Sequence, residues 1–441
     1  MEPARCLRRS ACVLGVTAML LCSGVLFAIM RGSAASADEI RGEPPPSALQ
    51  LSLDEALSLF LRQNLDVLLT RTGIDAAKGR EITARLFPNP VLAIDTGGAF
   101  TQGQRVSRTG FLAPQLRQLF ETAGKRGYRM QSAGLGTQST EAHFEDTLRQ
   151  LSATVKETYF HVQVARRRLV LAEENRTQFD QVLDIAEERA RQGLIADIDL
   201  VRIRLQKVDF DAQGIQFLQE AETAQSDLRV LLNISPVTDL ILTTPLNYGP
   251  VNLEIKELQR MALDARPDLR EKQLQLSQRE AELKLAKAYR YPDVVAGSGL
   301  LVQGPEGPDN QQQMHVHLSV PIPLFNRNQG GIVQAEAALQ AAQAELAKTL
   351  LEVSNQVDIA YRNLVQSQRL VEAYRAGVLD DARSMLVIVE RLYEKGAATL
   401  FDLLDGARTE RTIEQNYSEA LFQYQRNLFR LESAVGREIR S

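Results

Sequence analysis

The stretch LRQLSATVKETYFHVQVARRRLVLA, residues 148–172, decides the fold. Leu148, Leu151, Val155, Thr158, Val162, Ala165, Leu169 and Ala172 recur at alternating spacings of three and four. That period is the seam of a coiled coil. The helix around it runs over about residues 124–190. At ~1.5 Å rise per residue it is a rod of roughly 100 Å. A second, less regular seam runs through Leu339, Ala342, Leu346, Leu350, Val353, Val357, Ala360 and Leu364, within a helix over about 330–394. Seven alanines fall between Ala335 and Ala347, and small residues let neighbouring helices approach closely. A compact globular domain has no use for such a rod, so the sequence predicts an elongated helical architecture.

The two seams belong to a duplication. Asn64-Leu65-Asp66-Val67 lies 202 positions before Arg266-Pro267-Asp268-Leu269. Phe87-Pro88-Asn89-Pro90 lies 202 before Tyr289-Arg290-Tyr291-Pro292, and Leu119-Phe120 lies 205 before Leu324-Phe325. Arg191-Gln192-Gly193 lies 203 before Glu394-Lys395-Gly396. The period is too long for a solenoid unit. Each copy predicts a helix (52–86; 255–290), two short strands (90–97 with 109–116; 293–302 with 314–321), the long helix, a glycine turn and a further helix (197–232; 398–434). The expected organisation is a first repeat at 51–234, an inter-repeat linker at 235–252 and a second repeat at 253–441.

The N-terminus follows a different logic. Arg5, Arg8 and Arg9 precede an apolar run from Ala11 to Met30, and Ala35-Ser36-Ala37 follows. This is the plan of a secretory signal peptide, expected over 1–37 with a linker at 38–50; an uncleaved anchor is the other reading. All three cysteines (Cys6, Cys12, Cys22) lie in that segment, so its removal excludes disulfides, thiolate metal sites and a cysteine nucleophile together. No other run is apolar for 18 residues. With 51 basic and 55 acidic side chains the net charge is -4, which argues against a nucleic-acid partner. A chain 44% hydrophobic and 24% charged is not disordered as a whole.

Residues 314–320 alternate cleanly. Met314, Val316, Leu318 and Val320 are apolar; His315, His317 and Ser319 are polar. A half-buried soluble strand and an outer-membrane barrel strand both give this pattern. Four strands are too few for a barrel, and an open sheet in lipid would leave unpaired edges. Either the strands are a soluble appendage or several chains pool them. Three chains would give twelve strands in one barrel.

At this point the chain resembles a family, the TolC-like outer membrane factors, in their CzcC/CusC heavy-metal branch. The resemblance rests on Phe87-Pro88-Asn89-Pro90 before the first strand pair and on Val320-Pro321-Ile322-Pro323-Leu324-Phe325-Asn326-Arg327-Asn328-Gln329-Gly330 after the second. It covers residue 50 to the C-terminus. It implies a mainly α fold with a small β part: long coiled-coil helices forming an α-barrel tunnel, plus four strands per chain in a trimeric 12-stranded outer-membrane β-barrel. It also implies a homotrimer whose partners are outer-membrane lipid, a periplasmic adaptor and an inner-membrane pump of the resistance-nodulation-division (RND) type. No cofactor is implied.

The candidate site residues lie at the two glycine turns. Gly193 is followed six residues later by Asp199, Gly396 by Asp402, and Asp405 lies three further on. Chemistry alone reads each Gly as a left-handed helix cap and each Asp as a partner of the next helix's dipole. The resemblance makes these turns the periplasmic tip that meets the adaptor. It makes Gly193, Asp199, Tyr393, Gly396, Asp402 and Asp405 elements of a channel gate, where carboxylates from three chains would attract cations. One departure matters. The family's best-known gate has arginine two residues after the second Gly, and here that residue is Ala398.

His315 and His317 share the polar face of one strand and are expected to face the lumen. Imidazole suits transition metals, but two histidines are a sparse ligand motif and a conduit should not hold its cargo tightly, so ordinary polar wall positions are expected and no firm metal site. His143, His161 and the Arg166-Arg167-Arg168 run are expected on solvated or seam faces. No zinc-protease, phosphate-loop or cysteine constellation is present, so no catalysis is expected. The function expected is an exit duct for divalent heavy-metal cations. The alternatives are a similar duct for drugs or type I secretion, or a soluble periplasmic coiled-coil adaptor.

Overall fold

The computed structural model describes residues 48–97, 110–193, 195–252, 254–303 and 312–439. The expected signal peptide, the three cysteines and most of the N-terminal linker lie outside them. The chain divides into a small unit, residues 1–49 with 237–239, and a large unit holding the rest. Of the small unit only residues 48–49 and 237–239 are described.

The first copy begins with β1 (Ala48–Leu51), α1 (Leu53–Gln63) and α2 (Leu65–Arg85). Ser52 starts α1 with a capping box: its hydroxyl accepts from the Glu55 amide, and the Glu55 carboxylate accepts from the Ser52 amide at 2.8 Å. The single helix expected over 52–86 is broken at Asn64. That residue ends α1 in extended backbone and caps α2, its side-chain oxygen accepting from the Val67 amide at 3.0 Å. The second copy breaks at the equivalent place, between α5 (Ile255–Ala265) and α6 (Pro267–Ala288). Here Pro267 forces the residue before it, Arg266, out of the helical region. Both break residues are about 4% exposed and both reach the end of the last helix of their own copy. Asn64 Nδ2 donates to the Leu231 carbonyl at 2.8 Å, and the Arg266 guanidinium to the Ala434 carbonyl at 3.1 Å.

Between these breaks lie β2 (Val91–Gly97), β3 (Phe111–Phe120), α3 (Lys125–Arg191), α4 (Asp197–Leu231) and β4 (Asp239–Leu242). After α6 come β5 (Val294–Gln303), β6 (Gln312–Ser319), α7 (Gln329–Ala373), a π-helical turn (Tyr374–Val378), α8 (Leu379–Glu394) and α9 (Leu400–Val435). The expected inter-repeat linker is not structureless. Its strand β4 pairs with β1, and the amide of Thr243 donates to the Leu51 carbonyl at 3.0 Å.

The 67-residue α3 is continuous. Of its seam, Val155, Val162, Ala165 and Ala172 are buried, and so are Tyr159, Phe160, Val164 and Leu171 off the seam. The reason is that α3 packs against α2, α4, α6 and α9, so its middle is covered on several sides. Tyr159 locks that region: its hydroxyl donates to the Leu51 carbonyl at 2.8 Å and accepts from the Thr244 amide at 3.0 Å. The second long helix, expected unbroken over 330–394, is interrupted at Gly377. Its φ of +133° is open to glycine and costly to other residues. The second copy's core, Val353, Val357, Ala360, Leu364 and Val371 against Tyr424, Leu428 and Leu431, lies before that break.

The strands form one antiparallel sheet in the order β2-β3-β5-β6, so the two copies' hairpins join through β3 and β5. Among the described residues no helix is long and apolar enough to cross a membrane.

Candidate functional site

Two regions carry the expected site residues: the glycine turns and the sheet. At the first turn α3 ends on Gly193 at φ +72°, and at the second α8 ends on Gly396 at φ +73°. The second is a full Schellman cap. The Gly396 amide donates to the Tyr393 carbonyl at 3.0 Å and the Ala397 amide to the Leu392 carbonyl at 2.8 Å. Thr399 then starts α9 with a capping box whose other half is Asp402. Those hydrogen bonds from the Thr399 hydroxyl and amide hold the Asp402 carboxyl below its usual range. Asp199 sits in the first turn of α4, 3.5 Å from Arg202, and Asp405 is exposed on α9. Among the described residues no three His, Cys, Asp or Glu side chains gather closely enough to hold a metal.

What the fold brings together at the two glycine turns is different. Arg189, one turn before Gly193, donates to the Tyr393 hydroxyl at 2.7 Å, one turn before Gly396. Its guanidinium also lies 5.1 Å from the centre of that ring. A small core of Phe179, Ala186 and Ile203 sits just above, and Leu404 of the second copy packs on it. Sequence reasoning missed Arg189, although it stands 204 positions before Tyr393, close to the repeat offset. It also misread Arg168, expected in a solvated patch. Arg168 clamps Glu220 of α4 and Glu419 of α9. His143 lies 3.1 Å from Glu271, and His161 3.7 Å from Glu220.

The sheet has two unlike faces. One carries Leu92, Ile94, Leu116, Leu300, Met314, Val316 and Leu318, all exposed, with Val316 at 80%. The other carries Asp95, Gln115, Arg117, Gln313, His315 and His317. Gln115 donates to Asp95, and Arg117 Nε donates to Gln115 Oε1 at 3.1 Å. Exposed aromatic rings stand where strands meet helices: Phe87, Phe120, Tyr289, Tyr291 and Phe325. An apolar band edged by aromatic side chains is the exterior of a membrane barrel.

The Asn326–Gly330 motif builds the entry from β6 into α7. Asn328 adopts φ +59°, and its Nδ2 donates to the Ala286 carbonyl of α6 at 2.8 Å. The Asn326 side chain accepts from the Asn328 amide at 2.9 Å, and Gln329 Nε2 donates to the Phe325 carbonyl at 2.9 Å. The first copy makes the same entry with Gly124 at φ +72°.

The model of the family described as "Outer membrane efflux protein" matches residues 57–233 and again 258–437. The chain belongs to the outer membrane efflux protein family. Among curated relatives of this efflux protein, the cobalt-zinc-cadmium resistance protein CzcC of Cupriavidus metallidurans is 23% identical over 402 residues, 89% of this chain and 92% of that one. The outer membrane protein TolC of Escherichia coli K12 is 26% identical over 73% of this chain and 68% of that one. The fold is that of the solved channel CusC, with a TM-score of 0.74, 18% identity, and coverage of 90% of this chain and 96% of that one. The TolC-like helices and four strands expected from sequence are therefore the fold of this efflux protein, and the outer membrane is its place.

Proposed function

We propose that this efflux protein is the outer-membrane exit duct of a tripartite RND-type system that passes divalent heavy-metal cations out of the cell. The carrying observation is the sheet with an apolar outer face, a polar inner face and two free edges, β2 and β6. Lipid does not tolerate free edges, so copies must join β6 to β2 until the barrel closes. Three copies give twelve strands. The two repeats, 51–234 and 253–441, then supply equivalent helical columns to a periplasmic tunnel. In this reading the Gly193 and Gly396 turns meet the periplasmic adaptor, and Tyr393, Asp199, Asp402 and Asp405 line the constriction. The duct conducts and does not catalyse.

Metal cargo is supported by the likeness to the cobalt-zinc-cadmium resistance protein, which spans nearly the whole of both chains. Drugs or secreted polypeptides are the second reading, supported by the likeness to TolC. Growth of a deletion strain on cobalt, zinc, cadmium, nickel, copper and silver, beside dyes and detergents, separates the two. Sensitivity confined to metals and restored by the gene supports metal export. Sensitivity to organic toxicants alone sinks the metal cargo and keeps the duct.

A further inference from the structure

His315 and His317 stand on β6 with one residue between them, so both imidazoles leave the same face, about 6.8 Å apart along the strand. Both are half-buried, while Met314, Val316 and Leu318 between and beside them point the other way and are exposed. Their partners on β5 are Gly299 and Gly297. A Cβ added at Gly299 would stand 2.7 Å from His315 Cε1 and 2.7 Å from the Gln115 Cβ on β3. The His315 ring therefore lies over β5, in space that any other residue at 299 would fill. A Cβ at Gly297 would meet the Leu116 carbonyl at 2.5 Å. The two glycines thus leave room on the polar face that the His315 ring takes at 299 and the stem of Arg117, 3.2 Å from the added Cβ, takes at 297.

The other free edge is β2. β2 carries Asp95 on the same polar face. Joining β6 to β2 of the next copy sets these strands about 4.8 Å apart, which puts a carboxylate on the polar face of the strand next to the histidines' own. Among the described strand residues the positive charge on that face is Arg117; its stem lies against Gly297, the partner of His317, and its guanidinium lies 3.8 Å from Asp95 of its own copy and bonds Gln115.

We propose that His315 and His317 form a shallow two-imidazole site for a divalent transition metal on the lumenal wall of the sheet, a transient stop for the exported cation. Its place in a lumen and its cargo rest on the duct reading above. Imidazole nitrogen suits zinc, cobalt, nickel and copper, whereas magnesium and calcium want oxygen. Two protein ligands leave the remaining positions to water, so the ion can leave again, as a conduit requires.

The test uses the full-length protein purified in detergent and titrated with cobalt(II), followed by its visible absorption, and with zinc(II) by calorimetry. The variants are His315→Gln, His317→Gln and the double. The wild type should take up about one ion per chain without competition from magnesium. Loss of a residue that only hydrogen-bonds a ligand weakens metal binding about 10–100-fold, so either single variant should lose at least tenfold and the double all specific uptake. A double variant that titrates like the wild type, or a wild type that takes up no cobalt at millimolar concentration, overturns the site. Conductance of the same preparations without metal checks that the variants still form the duct. A wild type that conducts and restores metal resistance but binds nothing at the histidines overturns this inference alone. Binding through the histidines without any metal phenotype upholds the site and overturns the cargo.

Discussion

The Arg189 guanidinium donates to the Tyr393 hydroxyl at 2.7 Å and faces its ring at 5.1 Å, joining the last turns of the two long-helix columns within one chain. Ala398 stands where the family's best-known gate has its arginine, and the cation that meets Tyr393 comes here from the other repeat. Arg189→Ala should raise the single-channel conductance or open probability in planar bilayers. Tyr393→Phe keeps the ring and loses only the hydroxyl, so its effect should be smaller. An exposed cation–π contact is worth about 0.5–1 kcal/mol, which shifts a closed-to-open ratio only a few-fold. Identical channel behaviour in all three proteins would remove this pair from the gate.

The tip carboxylates divide in two by their local roles. Asp402 is spent on the capping box of α9, whereas Asp405 is exposed on that helix. Asp405→Ala should therefore weaken block of the pore by divalent cations with no change in thermal stability. Asp402→Ala should weaken block and also lower the apparent melting temperature, because the Thr399 cap loses its partner. Unchanged block in the double variant would show that these carboxylates do not line the pore.

Asn328 offers a test of the motif on which the heavy-metal resemblance first rested. Its left-handed backbone and its bond to the Ala286 carbonyl both favour asparagine. Asn328→Ala loses both and should cost about 2 kcal/mol, the sum of a left-handed penalty of roughly 1 and a hydrogen bond of roughly 1. Asn328→Gly keeps the backbone freedom and should cost about half as much. Apparent melting temperatures in one detergent order the three proteins. An alanine variant as stable as the wild type would contradict this account of the strand-to-helix entry.

How much of this was legible in the sequence depends on whether one chain's local chemistry fixes the feature. The seam of α3 and the alternation of β6 are periodic, and the helix and the strand follow them. The breaks at Asn64 and Arg266 were also written there: an asparagine able to cap and a residue before proline. They went unread because the apolar period continues across both. The interruption at Gly377 has no such signal beyond the glycine itself. β1 and β4 fall in expected linker sequence because each is four residues long and finds its partner 191 positions away. At the tip, Gly193, Gly396 and Asp402 follow from helix-capping rules, whereas the Arg189–Tyr393 contact depends on how two columns are packed, which no local pattern encodes.

The two faces of the sheet make opposite demands on the same substitution. Val316→Arg puts a cation on the apolar face, where the cost at the middle of a bilayer is about 2–4 kcal/mol. Gln313→Arg puts one on the polar face beside water. The first should reduce the yield of assembled protein in the outer-membrane fraction, and the second should leave it unchanged. Equal yields would mean that the apolar face does not meet lipid, and the soluble adaptor reading would return.

The paired breaks at Asn64 and Arg266 supply a pH prediction with its own control. Arg266 grips Asp268 with two nitrogens, at 2.9 and 2.5 Å, and also reaches Gln356 and the Ala434 carbonyl. Burial works to raise the Asp268 carboxyl. The hydrogen bonds and charge of Arg266, helped by Arg149 and the Leu269 amide, outweigh it and hold the carboxyl below its usual range. A group depressed on folding adds stability above its unfolded value, and that stability is lost as pH falls through the folded value. The loss should therefore set in below about pH 4. Asp268→Asn leaves the buried Arg266 without its counter-charge, and breaking a buried pair costs about 3–5 kcal/mol. Asp268 is partly exposed, so the lower end applies. At pH 7 the variant should melt well below the wild type, and at pH 3.5 the gap should narrow. Asn64→Ala removes the neutral counterpart, a helix cap and a hydrogen bond together worth about 2 kcal/mol. Nothing in it titrates, so its gap from the wild type should be the same at both pH values. A gap for Asp268→Asn that is equally flat with pH would mean that Arg266 does not depress the carboxyl, and that the break is held by its hydrogen bonds to Gln356 and Ala434 alone.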